Sequence, residues 1–113
     1  MADATSYAYK VTLGEIHDGD TLWLTIDLGF YLAHTVRIRM AGINAPELST
    51  PAGVVARDAL KAYVAGQSGQ WTAQTYKTGE DKYGRWLCTL FAPDGTNVNQ
   101  WMLANGYAVV DAG

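Results

Sequence analysis

Hydrophobic and polar residues alternate with a period of two in several short runs of this chain, the mark of strands that bury one face. Tyr7 to His17 is β-prone and interrupted at Gly14, Asp18-Gly19 is a hairpin-type turn, and Thr21 to Ile26 resumes strand character. After Asp27-Leu28-Gly29, a third extended run from Tyr31 to Ile43 alternates Val36, Ile38 and Met40 with Arg37 and Arg39, so both arginines leave one face. The turn Asn44-Ala45-Pro46 ends it, because proline restricts the residue before it and has no N–H for a sheet ladder.

The period then changes. Ser49 or Thr50 followed by Pro51 marks a helix start, and the helix runs to about Ala65 before Gly66. Its stripe is Ala56, Leu60, Tyr63 and Val64, with Arg57, Asp58 and Lys61 on other faces. Gln70 to Lys77 and Arg85 to Phe91 read as strands on either side of the loop 78–84, with Trp86, Cys88 and Leu90 sharing one face. Asp94-Gly95 turns the chain, and Asn97 to Asn105 reads as a short helix with Val98, Trp101 and Met102 inward and Gly106 as its stop. This order of elements predicts a mainly β chain with attached helices, built on a small closed or partly closed five-stranded barrel. With no repeat or linker, residues 1–113 read as one domain.

Apolar residues make up 49% of the chain and charged residues 17%, a globular composition. No apolar run is long enough to span a bilayer, and Met1-Ala2-Asp3-Ala4-Thr5-Ser6 lacks the basic start and apolar core of a secretory signal. A chain without membrane partners, compatible with a cytoplasm, is expected. Cys88 is the single cysteine, which excludes an internal disulfide and a multi-cysteine zinc site. The net charge of −3 rests on only eight Lys and Arg, against broad non-specific attraction to nucleic acid. That acidity weighs more heavily against a binding module than against an enzyme, where a few local guanidiniums suffice at the transition state.

Three segments carry candidate chemistry: Asp18-Gly19-Asp20-Thr21, then Arg39 through Ile43-Asn44-Ala45-Pro46-Glu47, then Asp81-Lys82-Tyr83-Gly84-Arg85. If they converge, the acids hold a hard cation and the two guanidiniums grip phosphodiester oxygens, the requirements of metal-assisted phosphoryl transfer. The expected activity is that of a nuclease.

The three strings, in this order around a helix, resemble staphylococcal nuclease-like domains, the thermonuclease family, over nearly the whole chain. That resemblance implies an OB-fold barrel and calcium-dependent hydrolysis of DNA and RNA leaving 3′-phosphate ends. It further implies Asp20, Asn44 and the carbonyl of Ala45 at the metal, with Asp18 as a nearby acid behind them. Arg39 and Arg85 fall on the attacked phosphate, Glu47 at the water, and Lys82 and Tyr83 in the nucleotide pocket. Asn44 stands where the family places aspartate, so calcium affinity is expected to be weakened, and another divalent ion is not excluded. The family pattern also continues into a further helix beyond the position of Gly113, with a nucleotide-stacking tyrosine near the position of Ala112, which leaves open a compact variant or a shortened chain.

Other residues carry structural expectations. Arg37 reads as a solvated strand residue, and His17 and His34 as structural or surface groups. Cys88 reads as a core thiol, Trp23, Trp86 and Trp101 as barrel filling, and Trp71 is left open. The alternative functions are a catalytically weakened member of the same family that binds nucleic acid or protein and, more remotely, an unrelated OB barrel that binds oligosaccharide.

Overall fold

The alternating runs become strands whose inward residues fill a closed barrel in the order β1-β2-β3-β6-β5. The computed structural model describes residues 6–80 and 86–111. Its elements are β1 (Ser6–Asp18), β2 (Thr21–Gly29), β3 (Leu32–Met40), β4 (Ile43–Asn44), α1 (Pro51–Ala65), β5 (Trp71–Glu80), β6 (Trp86–Phe91), α2 (Val98–Ala104) and β7 (Val109–Val110). This is the mainly β barrel with attached helices that the pattern predicts, and it is consistent with the OB-type fold that the resemblance implies. Val11, Leu22, Leu24, Ile38, Met40, Ala73, Cys88 and Leu90, all at alternate positions of their strands, are buried in its centre. Burial pushes the Cys88 thiol up to about 12, so it remains neutral and acts as a small apolar side chain.

Strand β1 shifts register between Leu13 and Ile16 and again before Asp18, the bulged region around Gly14. The third run is shorter than its apolar pattern suggests. Strand β3 stops at Met40, Gly42 takes φ +79, and the chain re-enters extended structure as β4, which pairs with β7 rather than with the barrel. At the other end of β3, Tyr31 belongs to the turn, where Gly29, Phe30 and Tyr31 all have positive φ.

Helix α1 begins as its cap signals predict: the Thr50 hydroxyl accepts from the Gly53 N–H at 3.0 Å, and Pro51 occupies the first turn. Ala56 and Leu60 enter the core. Tyr63 meets Trp71 edge-on at 6.4 Å and Trp101 at 4.4 Å, which gives Trp71 a packing role. Trp101 packs against the core as expected, but Trp23 and Trp86 are 39% and 42% exposed. For Trp23 the reason is parity: Leu22 and Leu24 on either side both point inward, so the indole between them faces out. Trp86 opens β6, and the interior positions of that strand are taken by Cys88 and Leu90.

One buried amide ties this frame together. Asn99 Oδ1 accepts from the Leu90 N–H at 3.1 Å, while its Nδ2 donates to the carbonyls of Ala41 at 2.8 Å and Cys88 at 3.2 Å. It joins α2 to β6 and to the residue that follows β3. Among the described residues, no helix is long and apolar enough to cross a membrane. Asn99→Ala takes the partner from the Leu90 N–H and the Ala41 carbonyl, while the Cys88 carbonyl keeps its bond from the Ala41 N–H, and is expected to cost about 2 kcal/mol in urea unfolding.

Candidate active site

The turn between β1 and β2 brings Asp18 and Asp20 to the barrel rim. Asp18 Oδ1 accepts from the Asp20 N–H at 3.1 Å, and the Asp20 carbonyl accepts from the Met40 N–H at 2.8 Å, which fixes the turn to the end of β3. A Cβ built on Gly19 would lie 2.8 Å from the Ala45 Cβ and 3.1 Å from that of Ala56. Gly19 is therefore needed for close approach: its bare Cα lets the turn lie against the 44–46 segment and α1.

Asp20 is 6% exposed. Its Oδ1 accepts from the Thr21 hydroxyl at 3.0 Å and its Oδ2 from the Ala45 N–H at 2.8 Å. Burial is the main cause that lifts its pKa above the ordinary carboxyl value, and a hydrogen bond and the like charge of Asp18 add to it. The Ala45 N–H and Arg39 act in the opposite direction without cancelling the rise.

Arg39 leaves the end of β3 into the same place. Its Nη2 lies 3.6 Å from Asp20 Oδ2 and donates to Asn44 Oδ1 at 3.1 Å, while Nη1 donates to Asp111 Oδ2 at 3.2 Å. Asp111 is held there by pairing of Ile43 with Val110 and Asn44 with Val109, and by its own N–H, which donates to the Gly42 carbonyl at 3.0 Å. A guanidinium so flanked, with a side chain only 13% exposed, is fixed in orientation rather than free to sample solvent.

Glu47 lies two residues beyond Ala45 in the same connection. Its carbonyl accepts from the Thr50 N–H at 3.0 Å and the Thr50 hydroxyl at 2.7 Å. A Cβ on Gly53 would fall 1.8 Å from that carbonyl oxygen, so the Glu47 backbone rests directly on the helix. The Glu47 side chain is exposed and, among the described residues, has no hydrogen-bond or ion-pair partner.

Of the residues expected at the site, Asp18, Asp20, Arg39, Asn44 and Ala45 are thus joined by direct contacts, and Glu47 is carried on the same segment. Lys82, Tyr83 and Arg85 lie outside the described residues. Sequence reasoning did not identify Asp111, Gly53 or Asn99. The amide of Asn99 had a signal, since it interrupts the apolar stripe of Val98 and Met102. His17 is exposed, in line with a surface reading, with Nε2 4.0 Å from Asp18 Oδ2.

Among the described residues, no three His, Cys, Asp or Glu side chains cluster as a ready-made metal site. The donor chemistry nevertheless fits a hard cation. Burial makes the Asp20 charge costly, a cost that a divalent ion would offset, with the Asp18 carboxylate beside it and Asn44 Oδ1 as a neutral oxygen. Ligation by Asn44 competes with its bond from Arg39 Nη2.

Residues 37–112 match the family model described as staphylococcal nuclease homologue. An uncharacterized endonuclease of Escherichia coli O157:H7 is 36% identical over 111 residues, which cover 92% of this chain and 67% of that protein. A probable staphylococcal-like nuclease, CAN1, of Oryza sativa subsp. japonica is 40% identical over 77 residues, 68% of this chain and 22% of that protein.

Gly53→Ala forces the Glu47 segment off the helix and is expected to lower stability by at least about 2 kcal/mol in urea unfolding. Asp20→Asn is expected to unfold at a higher temperature than wild type at pH 7, measured with chelator present. A raised folded-state pKa means that wild type loses stability as pH rises from 3.8 through that value. The advantage of the variant is therefore full above the raised pKa and disappears as pH falls below 3.8.

Proposed function

The chain belongs to the staphylococcal nuclease homologue family, and we propose from that premise that it hydrolyses phosphodiester bonds of DNA and RNA with calcium as cofactor. The observation that carries this reading is the Arg39 guanidinium, fixed between Asp20, Asn44 and Asp111 beside the segment that bears Glu47. Asp20, Asn44 and the Ala45 carbonyl would hold the cation, with the Asp18 charge behind them. Bound calcium would supply a positive centre that lowers the energy of charge developing on the phosphate.

The chain's own groups do the rest. Arg39, together with Arg85, donates to the non-bridging oxygens, where negative charge grows as water attacks phosphorus. Glu47, exposed and without a competing partner among the described residues, accepts the proton of that water. The bond from phosphorus to the 5′ oxygen breaks, that oxygen takes up a proton, and the product strand ends in a 3′-phosphate. Lys82 and Tyr83 are assigned to the nucleotide from their motif.

A second reading is favoured by one contact. Asn44 brings no negative charge to a cation, and its Oδ1 accepts from Arg39 Nη2 at 3.1 Å, an arrangement suited to a member of the family that binds nucleic acid or protein without cutting.

One assay separates the two. Denatured DNA and RNA incubated with millimolar calcium are expected to be degraded to fragments with phosphatase-sensitive 3′ ends, and chelator is expected to stop the reaction. Arg39→Ala and Glu47→Gln are each expected to lower kcat about 100- to 1000-fold, and Arg39→Lys at least about tenfold, because an ammonium lacks the paired donors. Intact nucleic acid retarded in a gel at every calcium concentration would instead establish the binding module.

A further inference from the structure

Trp23 on β2 stands directly opposite Arg37 on β3, and both face away from the barrel. An indole 39% exposed on a strand whose neighbouring leucines are fully buried presents a flat apolar surface to solvent. Arg37 differs from Arg39 in its surroundings: among the described residues it has no ion-pair or hydrogen-bond partner, so its donors are free. On the other flank of Trp23, β1 contributes Gly14, whose absent Cβ would lie 3.2 Å from the Trp23 Cβ, and no side chain from that position covers the ring.

This pair lies next to the site. Arg37 and Arg39 are two residues apart on one strand and share its outward face, so they are separated by about 6.7 Å of strand rise. Their cross-strand partners, Trp23 and Thr21, keep the same step on β2. That step is comparable to the advance from one phosphate to the next in an extended single strand of nucleic acid. Stacking of a base on an aromatic face is worth about 1–3 kcal/mol and tolerates any sequence, and a guanidinium offers paired donors to a phosphate.

We propose that Trp23 and Arg37 form a subsite for the nucleotide adjoining the one attacked at Arg39, its base stacked on the indole and its phosphate held by Arg37. The subsite deepens the nuclease reading above and rests on it. Glu15, exposed beside Gly14, brings a negative charge to this flank and limits the electrostatic attraction. Stacking therefore supplies most of the affinity, and the subsite favours single strands, whose bases are free to lie flat against a ring.

The test is steady-state cleavage, with calcium, of oligothymidylates lengthened one nucleotide at a time. In wild type, kcat/KM is expected to rise about 5- to 100-fold when the nucleotide that reaches the subsite is added, chiefly through KM. Trp23→Ala and Arg37→Ala are each expected to reduce that rise to less than about threefold, Trp23→Phe to keep most of it by retaining a stacking face, and Val55→Ser, on the exposed side of α1, to leave it unchanged. A length dependence identical in wild type and both alanine variants overturns the subsite and leaves the nuclease reading standing. Oligothymidylates, DNA and RNA all left intact by wild type overturn both together.

Discussion

The bond from the Ala45 N–H to Asp20 Oδ2 is the contact on which the site depends. It joins the β1–β2 turn to the connection between β4 and α1, two pieces of chain that no sheet ladder links. A buried carboxylate raises its own cost unless donors surround it, and here the Thr21 hydroxyl comes from the next residue, while the Ala45 amide and the Arg39 guanidinium come from the elements that must be assembled. The charge of Asp20 is thus both the reason for the local arrangement and the group that arrangement presents. Its raised pKa reflects a desolvation cost that these donors leave partly uncompensated.

Rigid support reaches the site from three sides. Asn99 fixes the backbone just after β3 to β6 and α2, the helix start at Thr50 fixes the carbonyl of Glu47, and the β4–β7 pairing fixes Asp111 against Arg39. The polar groups themselves sit on turns and strand ends, where side chains point outward. The strands behind them supply precision through buried apolar packing.

Much of this was legible in the sequence because its signals are local. The proline and threonine at the start of α1, the alternation that sets the barrel interior, and the three motif strings each depend on residues a few positions apart. Asp20, Arg39, Asn44 and Ala45, drawn from two of those strings, meet at the barrel rim. Asp111 was not legible, since its partner is set by a pairing between short distant strands with no periodicity of their own. Gly53 reads as an ordinary weak point of a helix until the Glu47 carbonyl is seen lying on it. Trp23 shows a different failure: the parity of Leu22 and Leu24 already placed it outside, but its apolar character argued for the interior.

The pairing of Arg39 with Asp111 spans 72 positions of the chain. At a synthesis rate of about 5–20 residues per second, a ribosome takes roughly 4–14 s to travel that distance. Throughout that interval a nascent chain carries Arg39 without the Asp111 carboxylate and β4 without β7, the strand with which it pairs. This corner of the molecule thus first acquires its shape only once residues 109–111 have been made, after the barrel strands themselves.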